Sequence, residues 1–230
     1  MARIRHRKSI NPYRLQIEVE RPDWASMLVP GKPIHVDLGF GRGEFILEMA
    51  RQHPEIEFIG LEIRQYLIDK VEALLAEDLL PNVHVLLANV KEHLPVFFEP
   101  GALERVYIHF PDPWTRRKRH HKRRMVDATL AETLALLLCP GGQVHLMTDK
   151  EEVGQEMRAI FEGHGGFDNL CGTGQFCEES TTGLHTREEA YYLGKGQPIY
   201  RLCFVRHDQV RDQERDQVRD QERNQDSEHD

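Results

Sequence analysis

The chain of 230 residues has few cysteines, no long apolar run and an overall shortage of positive charge. Its four cysteines form no Cys-x-x-Cys pair, so free thiols in a reducing compartment are expected, with no metal site. A disulfide between Cys171 and Cys177 is the alternative to free thiols. No stretch approaches the roughly 20 apolar residues of a membrane span, and the basic N-terminus lacks the apolar segment of a secretory signal. These absences predict a cytoplasmic protein with no membrane segment.

The formal net charge of −8 argues at first sight against a nucleic-acid partner. However, residues 207–230 hold nine Asp or Glu and four Arg, so residues 1–206 carry a net charge of only −3. This tail contains the eight residues Asp-Gln-Val-Arg-Asp-Gln-Glu-Arg twice in succession, and it has no aromatic residue. Because it offers little apolar surface to bury, we predict a low-complexity tail that is disordered or a frayed helix.

Positive charge is concentrated in two places. Arg3, Arg5, Arg7 and Lys8 lie near the N-terminus, and 116–124 holds seven Arg and Lys with two adjacent histidines. We expect a basic, partly flexible N-terminal segment over 1–33. We also expect the 116–124 cluster, defined here as the basic run, to bind phosphates. A solvated charged surface and a targeting signal are the alternatives for this run.

Short apolar runs alternate with amphipathic stretches between residues 34 and 206, which predicts an α/β domain with a mostly parallel sheet. Ligands of such sheets bind beyond the carboxyl ends of the strands. Strands are predicted at 34–38, 57–61, 83–87, 105–109, 143–147 and 199–205, and helices at 44–51, 65–79, 91–97, 125–138 and 151–162.

A glycine-rich turn follows the first predicted strand and opens a helix, with the sequence Asp37-Leu-Gly39-Phe-Gly41-Arg-Gly43. Its glycines allow a sharp turn and a close approach of a ligand to the backbone. The dinucleotide fingerprint requires Gly or Ala where this chain has Glu44, which disfavours NAD. Glu62, after the second strand, is suited to ribose hydroxyls, and Asn89, after the third, to an adenine edge. S-adenosylmethionine fits this set; alternatively, the glycines only shape the turn and Glu62 is solvated.

The fourth strand is followed by Phe110-Pro-Asp-Pro-Trp114 and then by the basic run. The two prolines restrict the backbone on both sides of Asp112, which holds a carboxylate at the end of a strand. Trp114 offers a face on which a base can stack. This order of residues favours a nucleic-acid substrate at a cofactor-binding edge.

The segment from Phe110 through the basic run resembles the signature of bacterial tRNA (guanine-N7-)-methyltransferases. Further motifs in the same order extend the resemblance over about residues 30–206. They are the Asp37–Gly41 turn, Gly60-Leu-Glu62, Asn89, Thr148-Asp149, Thr186-Arg-Glu-Glu189 and Gly196-Gln-Pro-Ile-Tyr200.

The resemblance implies a Rossmann-like class I methyltransferase fold, with a seven-stranded sheet, helices on both faces and a methyltransferase domain over 34–206. It also implies tRNA as partner, with a guanine of the variable loop as the target. The protein is expected to be a monomer or a homodimer, with no obligate protein partner. The residues implied to contact S-adenosylmethionine are Asp37, Gly39, Gly41, Glu62, Asn89 and Asp112, with Asp112 also catalytic. Those implied to hold the target nucleotide are Arg116 (or its neighbour Arg117), Asp149, Thr186 and Glu189. Those implied to contact the RNA are Arg119, His120, His121, Lys122, Arg123 and Arg124.

The implied chemistry is consistent with these side chains. N7 of guanine is an unprotonated acceptor, so the enzyme needs to align it rather than to remove a proton. Positive charge moves onto the purine during transfer, and the carboxylates of Asp112 and Asp149 would favour it. Glu189 would accept hydrogen bonds from the guanine N1–H and 2-amino group. The rival hypotheses are a small-molecule methyltransferase of the same fold and a non-catalytic RNA-binding protein on that fold.

Overall fold

Strands and helices alternate along the computed structural model, which describes residues 19–114 and 123–207. The strands are β1 (Ile34–Leu38), β2 (Glu57–Glu62), β3 (Val83–Leu87), β4 (Leu103–His109), β5 (Leu138–Thr148), β6 (Phe167–Asn169) and β7 (Tyr200–Arg206). The helices are α1 (Trp24–Met27), α2 (Glu44–Gln52), α3 (Gln65–Asp78), α4 (Val90–Phe97), α5 (Ala128–Leu137), α6 (Glu151–His164) and α7 (Arg187–Leu193).

The strands form one seven-stranded sheet in the order β3-β2-β1-β4-β5-β7-β6. Strands β1 to β5 pair in parallel, whereas β7 is antiparallel to both β5 and β6. Strands β2 and β3 lie on one side of β1, and β4 and the later strands lie on its other side, so the strand order reverses at β1. The carboxyl end of β1 is therefore where such a sheet is expected to bind a ligand.

Helices cover both faces of the sheet, as the resemblance implies. Alternate residues of β2 enter opposite cores: Phe58 packs with α2 and α3, whereas Ile59 packs with α4, α5 and α6. This alternation follows from the two-residue repeat of a strand. The predicted α/β class and mostly parallel sheet are confirmed.

The main error in the predicted elements lies between α5 and β5. The sequence predicts a helix over 125–138, a Pro-Gly-Gly turn and a strand from Gln143. In the structure α5 begins only at Ala128, after Asp127 accepts a hydrogen bond from the Leu130 amide at 3.0 Å, and β5 already begins at Leu138. The pairing of β5 with β4 shifts in register at this point, which accommodates the extra residues within the strand. Strand β6 and helices α1 and α7 are not among the predicted elements.

The expectation of free thiols is wrong for Cys171 and Cys177, which form a disulfide. Tertiary structure brings them together, because the amides of Leu170 and Cys177 both bond carbonyls of β7, at 2.8 and 2.9 Å. The two Cα atoms lie 5.0 Å apart as a result. Cys139 and Cys203 are free thiols, as expected.

The described part of the N-terminal segment packs on the domain. The ring of Trp24 stacks on Phe98 with centroids 5.4 Å apart, and its indole N–H donates to the Phe97 carbonyl. The cluster at Arg3–Lys8 and the tail after His207 lie outside the described residues. No helix in the described ranges is long and apolar enough to cross a membrane.

Candidate active site

A pocket of about 770 Å³ lies beyond the carboxyl ends of β1, β2 and β4, where the strand order reverses. It brings together four residues predicted from the sequence to contact a cofactor, namely Gly39, Glu62, Asn89 and Asp112. We call it the larger pocket. Apolar side chains form much of the rest of its wall: Leu38, Leu61, Ile63, Ala88, Val90, Phe110, Pro111, Trp114 and Met125.

The glycine-rich turn places Gly39 at the larger pocket, whereas Gly41, also predicted to contact the cofactor, lines neither this pocket nor the neighbouring one. Gly39 and Gly41 have φ angles of 79° and 63°, a region that favours glycine. The Gly39 amide donates to the Leu61 carbonyl at 2.7 Å, and the Gly41 amide donates to the Glu62 carboxylate at 3.1 Å. The turn is thereby fixed to the end of β2.

Glu62 is buried, with 1% of its surface exposed, and it already has several partners. Arg64 contacts both carboxylate oxygens, at 2.9 and 2.8 Å, and the amide of Ile63 donates to one of them at 2.9 Å. The carboxylate is therefore held in one orientation by a bidentate ion pair. Sequence analysis missed Arg64, although its position two residues after Glu62 places it at the same strand end.

Asn89 is the N-terminal flanking residue of α4 and is buried at the edge of the larger pocket. Its backbone amide donates to Nδ1 of His93 at 3.1 Å, which fixes the start of the helix. This places the residue beside the apolar wall, as its predicted role at an adenine edge requires.

Asp112 lines the larger pocket on a tightly constrained loop. Phe110 and Trp114, on either side of it, have positive φ angles of 49° and 44°, which are costly for aromatic residues. The Phe110 amide bonds the Met147 carbonyl at 2.8 Å, and its ring stacks on Tyr192 with centroids 5.7 Å apart. These anchors maintain the strained loop and hold Asp112 at the pocket.

Two members of the basic run are described, and they have different surroundings. Arg123 lines the larger pocket with its guanidinium 5.0 Å from the ring centroid of Trp114, a cation–π contact. Arg124 is 4% exposed; it donates to the Pro113 carbonyl at 2.7 Å and pairs with Glu152 and Glu156 of α6. Arg124 is thus not placed to contact RNA, because its guanidinium anchors the loop to α6. The predicted residues Arg116, Arg119, His120, His121 and Lys122 lie outside the described residues.

A smaller pocket of about 400 Å³ adjoins the larger one. Gly39, His109 and Phe110 line both pockets and form the wall between them. The predicted residues Asp37 and Thr186 line the smaller pocket. Two pockets that meet at one wall are suited to a reaction between two ligands.

The carboxyl group of Asp37 is buried at the end of β1. Burial, with the charges of Glu62 and Glu188 nearby, raises the pKa of Asp37 to about 8. The side chain is therefore largely protonated at neutral pH, until a cation stabilises its charged form.

Glu189 lies in the interior rather than on an open surface, with 0% of its surface exposed. Its carboxylate accepts from the Thr186 amide at 3.2 Å and from the Arg201 guanidinium at 2.7 Å, while Thr186 Oγ1 accepts from the Glu189 amide. This capping box explains why Thr186-Arg-Glu-Glu189 begins a helix. The predicted contact of Glu189 with guanine is not available in this arrangement, and the neighbouring Glu188 is the carboxylate that lines the smaller pocket.

Asp149 lies after β5 and lines neither pocket. Burial, followed by the negative charge of the nearby Asp149, raises the pKa of the Tyr192 phenol. Since Tyr192 stacks on Phe110, Asp149 connects to the wall between the pockets through one aromatic residue. Sequence analysis also missed His109 in this wall, although it directly precedes the Phe110–Trp114 segment.

Comparison with known proteins agrees with this architecture. A family model described as "Putative methyltransferase" matches residues 31–202. The crystal structure of the 16S rRNA methyltransferase KamB superposes with a TM-score of 0.60 at 16% identity, covering 83% of this chain and 96% of that one, which shows a shared fold.

Curated relatives give the family. A tRNA (guanine-N(7)-)-methyltransferase of Synechococcus sp. (strain JA-3-3Ab) is 42% identical over 88% of this chain and 86% of its own length. One of Thermosynechococcus vestitus is 39% identical over 88% of this chain and 95% of its own length. With such identity over most of both chains, and with the pockets and motifs described above, this chain belongs to the tRNA (guanine-N(7)-)-methyltransferase family.

Proposed function

We propose that this protein transfers the methyl group of S-adenosylmethionine to N7 of a guanine in the variable loop of tRNA. The observation that carries the proposal is the pair of pockets that share the wall of Gly39, His109 and Phe110. A donor in the larger pocket and a base in the smaller one would meet at this wall. The names of the relatives supply the class of substrate.

The residues of the larger pocket fit S-adenosylmethionine. Val90 and Met125 provide an apolar surface for the adenine, and Asn89 lies where it can bond the edge of that base. Glu62 provides carboxylate oxygens for the ribose hydroxyls, although a ribose would have to share them with Arg64. Asp37 lines the smaller pocket, next to Gly39 of the shared wall in the glycine-rich turn; it would pair with the amino group of the cofactor at this wall and become ionised on binding.

When bound, the cofactor supplies an electrophilic methyl group on a sulfonium sulfur. The residues of this chain hold the base in line with that group, which lowers the barrier through proximity and orientation. N7 already carries a lone pair, so no general base is required. We assign the catalytic role to Asp112, whose carboxylate favours the positive charge that develops on the purine.

Base recognition is assigned to the smaller pocket. Glu188 lines it and would accept hydrogen bonds from the guanine N1–H and 2-amino group. Glu189 and Arg201 would position this carboxylate indirectly, because their buried ion pair fixes the first turn of α7. Arg123 and Trp114, which also line the larger pocket, would contact the RNA together with residues 116–122 of the basic run. Since tRNA is the proposed substrate, we place the activity in the cytoplasm.

The test is a methyl-transfer assay with bulk tRNA and labelled S-adenosylmethionine, followed by nucleoside analysis. We expect N7-methylguanosine, and its loss from a transcript in which the variable-loop guanine is replaced by adenine. Another methylated nucleoside, or N7-methylguanosine that persists in the substituted transcript, would contradict the proposal. Binding of tRNA without methylation would favour a non-catalytic RNA-binding protein. Methylation of small molecules alone would favour a small-molecule enzyme.

A further inference from the structure

His109 occupies a position that the proposed mechanism does not use. It is the last residue of β4 and one of three residues that line both pockets. The other two are Gly39 and Phe110, so His109 carries the polar side chain of the shared wall. Any group on this side chain lies where the two ligands would react.

Both ring nitrogens of His109 are buried and have no hydrogen-bond partner among the residues that the structure describes. The ring is held by aromatic contacts, edge-on to Phe45 with centroids 4.4 Å apart and tilted against Tyr107 at 5.9 Å. Buried polar groups in native proteins nearly always have a partner, and those that lack one require an explanation. Neither nitrogen is exposed to the pockets with the ring in this orientation, so a ligand in the adjoining pocket would provide that partner once the ring turns one nitrogen toward it.

The imidazole of His109 is neutral at physiological pH. Burial and the neighbouring His145 lower the pKa of His109 to about 3, so the ring carries one N–H donor and one acceptor. A neutral donor suits this wall, because a cationic one would repel both the sulfonium and the positive charge that develops on the purine.

We propose that His109 is a substrate-contacting residue that donates a hydrogen bond to O6 of the target guanine. This inference rests on the function proposed above. O6 and N7 lie side by side on the same edge of guanine, so a donor to O6 orients the base and leaves the N7 lone pair free for the methyl group. The contact also provides one of the buried ring nitrogens with its missing partner.

The test compares two tRNA substrates that differ at the O6–N1 edge of the target base. One carries guanine in the methylated position, and the other carries 2-aminopurine, which lacks O6 and the N1–H but keeps N7 and the 2-amino group. A contact to a buried group of this kind predicts that the wild-type protein loses about 10- to 100-fold in kcat/KM on the 2-aminopurine substrate. For His109→Leu we expect a similar loss on guanine, and its preference for guanine over 2-aminopurine should be about 10-fold or more below that of the wild-type protein. The preference that remains in this variant reflects the N1–H contact proposed for Glu188.

Two further variants control this experiment. His109→Gln keeps an N–H donor and is expected to recover much of the preference for guanine. His145→Leu removes a buried histidine of the neighbouring strand that lines neither pocket, and should keep the full preference. Thermal unfolding and cofactor binding of each variant show whether it is folded.

The results separate this inference from the function on which it rests. If wild-type protein forms no N7-methylguanosine in tRNA, the proposed function fails. If it does, but His109→Leu retains the wild-type preference for guanine over 2-aminopurine, the role of His109 is wrong. A His145→Leu variant that loses the preference as completely as His109→Leu would likewise overturn it.

Discussion

Replacing Asp37 by asparagine is expected to stabilise the protein while weakening its affinity for S-adenosylmethionine. The buried carboxyl has its pKa raised from 3.8 to about 8 by burial, with contributions from Glu62 and Glu188. Asparagine has nearly the same shape and carries no charge at any pH. The substitution therefore removes the free-energy cost of burying an ionisable carboxyl group in the folded protein. It also removes the negative charge that a cationic ligand would contact.

The sign and magnitude follow from proton linkage. Below about pH 4 the Asp37 carboxyl is protonated in both the folded and the unfolded chain, so its raised pKa does not lower the free energy of unfolding there. Between about pH 4 and pH 8 the unfolded chain releases the proton and the folded protein keeps it, so stability falls as the pH rises, and it levels off above about pH 8. Since one pKa unit is worth about 1.4 kcal/mol, the full cost at pH 8 approaches about 5 kcal/mol.

Thermal unfolding between pH 4.5 and pH 9 measures this effect. We expect Asp37→Asn to gain about 2–5 kcal/mol at pH 8, which raises Tm by at least about 5 °C in a domain of this size, and to gain little at pH 4.5. Glu72→Gln removes one carboxylate from the exposed surface of α3 and should change stability by less than about 0.5 kcal/mol. The affinity for S-adenosylmethionine should fall about 10- to 100-fold in Asp37→Asn, because a charge-assisted contact is lost. A variant with unchanged or lower Tm at pH 8 would refute the reasoning, since Asp37 would then be ionised in the fold.

Three further outcomes are expected. Asp112→Ala should reduce methyl transfer at least about 100-fold with tRNA affinity nearly unchanged; turnover near the wild-type rate would remove Asp112 from the mechanism. Reversing the charges over 119–123 should weaken tRNA binding and flatten its dependence on salt, and an equal loss of cofactor affinity would instead indicate a structural role. Arg124→Ala should cost about 1–3 kcal/mol in thermal unfolding, because it removes the buried guanidinium that bonds the loop to α6, while the carboxylates of Glu152 and Glu156 remain partly exposed to solvent. A loss below about 0.5 kcal/mol would contradict this placement.

Elements with a strong local pattern were predicted well. Strands β1 and β3 match their predicted bounds, and helices α2, α3 and α4 begin or end within one residue of them. Their apolar spacing and flanking turns are features of a few consecutive residues, which a sequence displays directly. The start of β5 was missed because the Pro-Gly-Gly segment has the composition of a turn. In the fold this segment is the irregular stretch between the pairing of Leu138 with Leu103 and that of Gln143 with Arg105, and only tertiary structure shows that the strand continues through it.

The site was predicted less evenly, because partners distant in sequence decide what a charged side chain can do. Arg124 and Glu189 both belong to the motifs of the family, and both were expected to contact RNA or base. In the fold, Arg124 pairs with α6 and Glu189 with Arg201, so both are buried. Residue type and spacing identified them as important without showing the contacts that they make.

The sequence by itself determined the α/β class, the family and the positions of Gly39, Glu62, Asn89 and Asp112, since each of these follows a strand in a parallel sheet. Only the tertiary structure decided that the site consists of two pockets with a shared wall, and that His109 lies in that wall with both nitrogens buried. The physical reason is that burial and charge depend on neighbours from other strands and helices. The same neighbours set the pKa of Asp37 and occupy the carboxylate of Glu189.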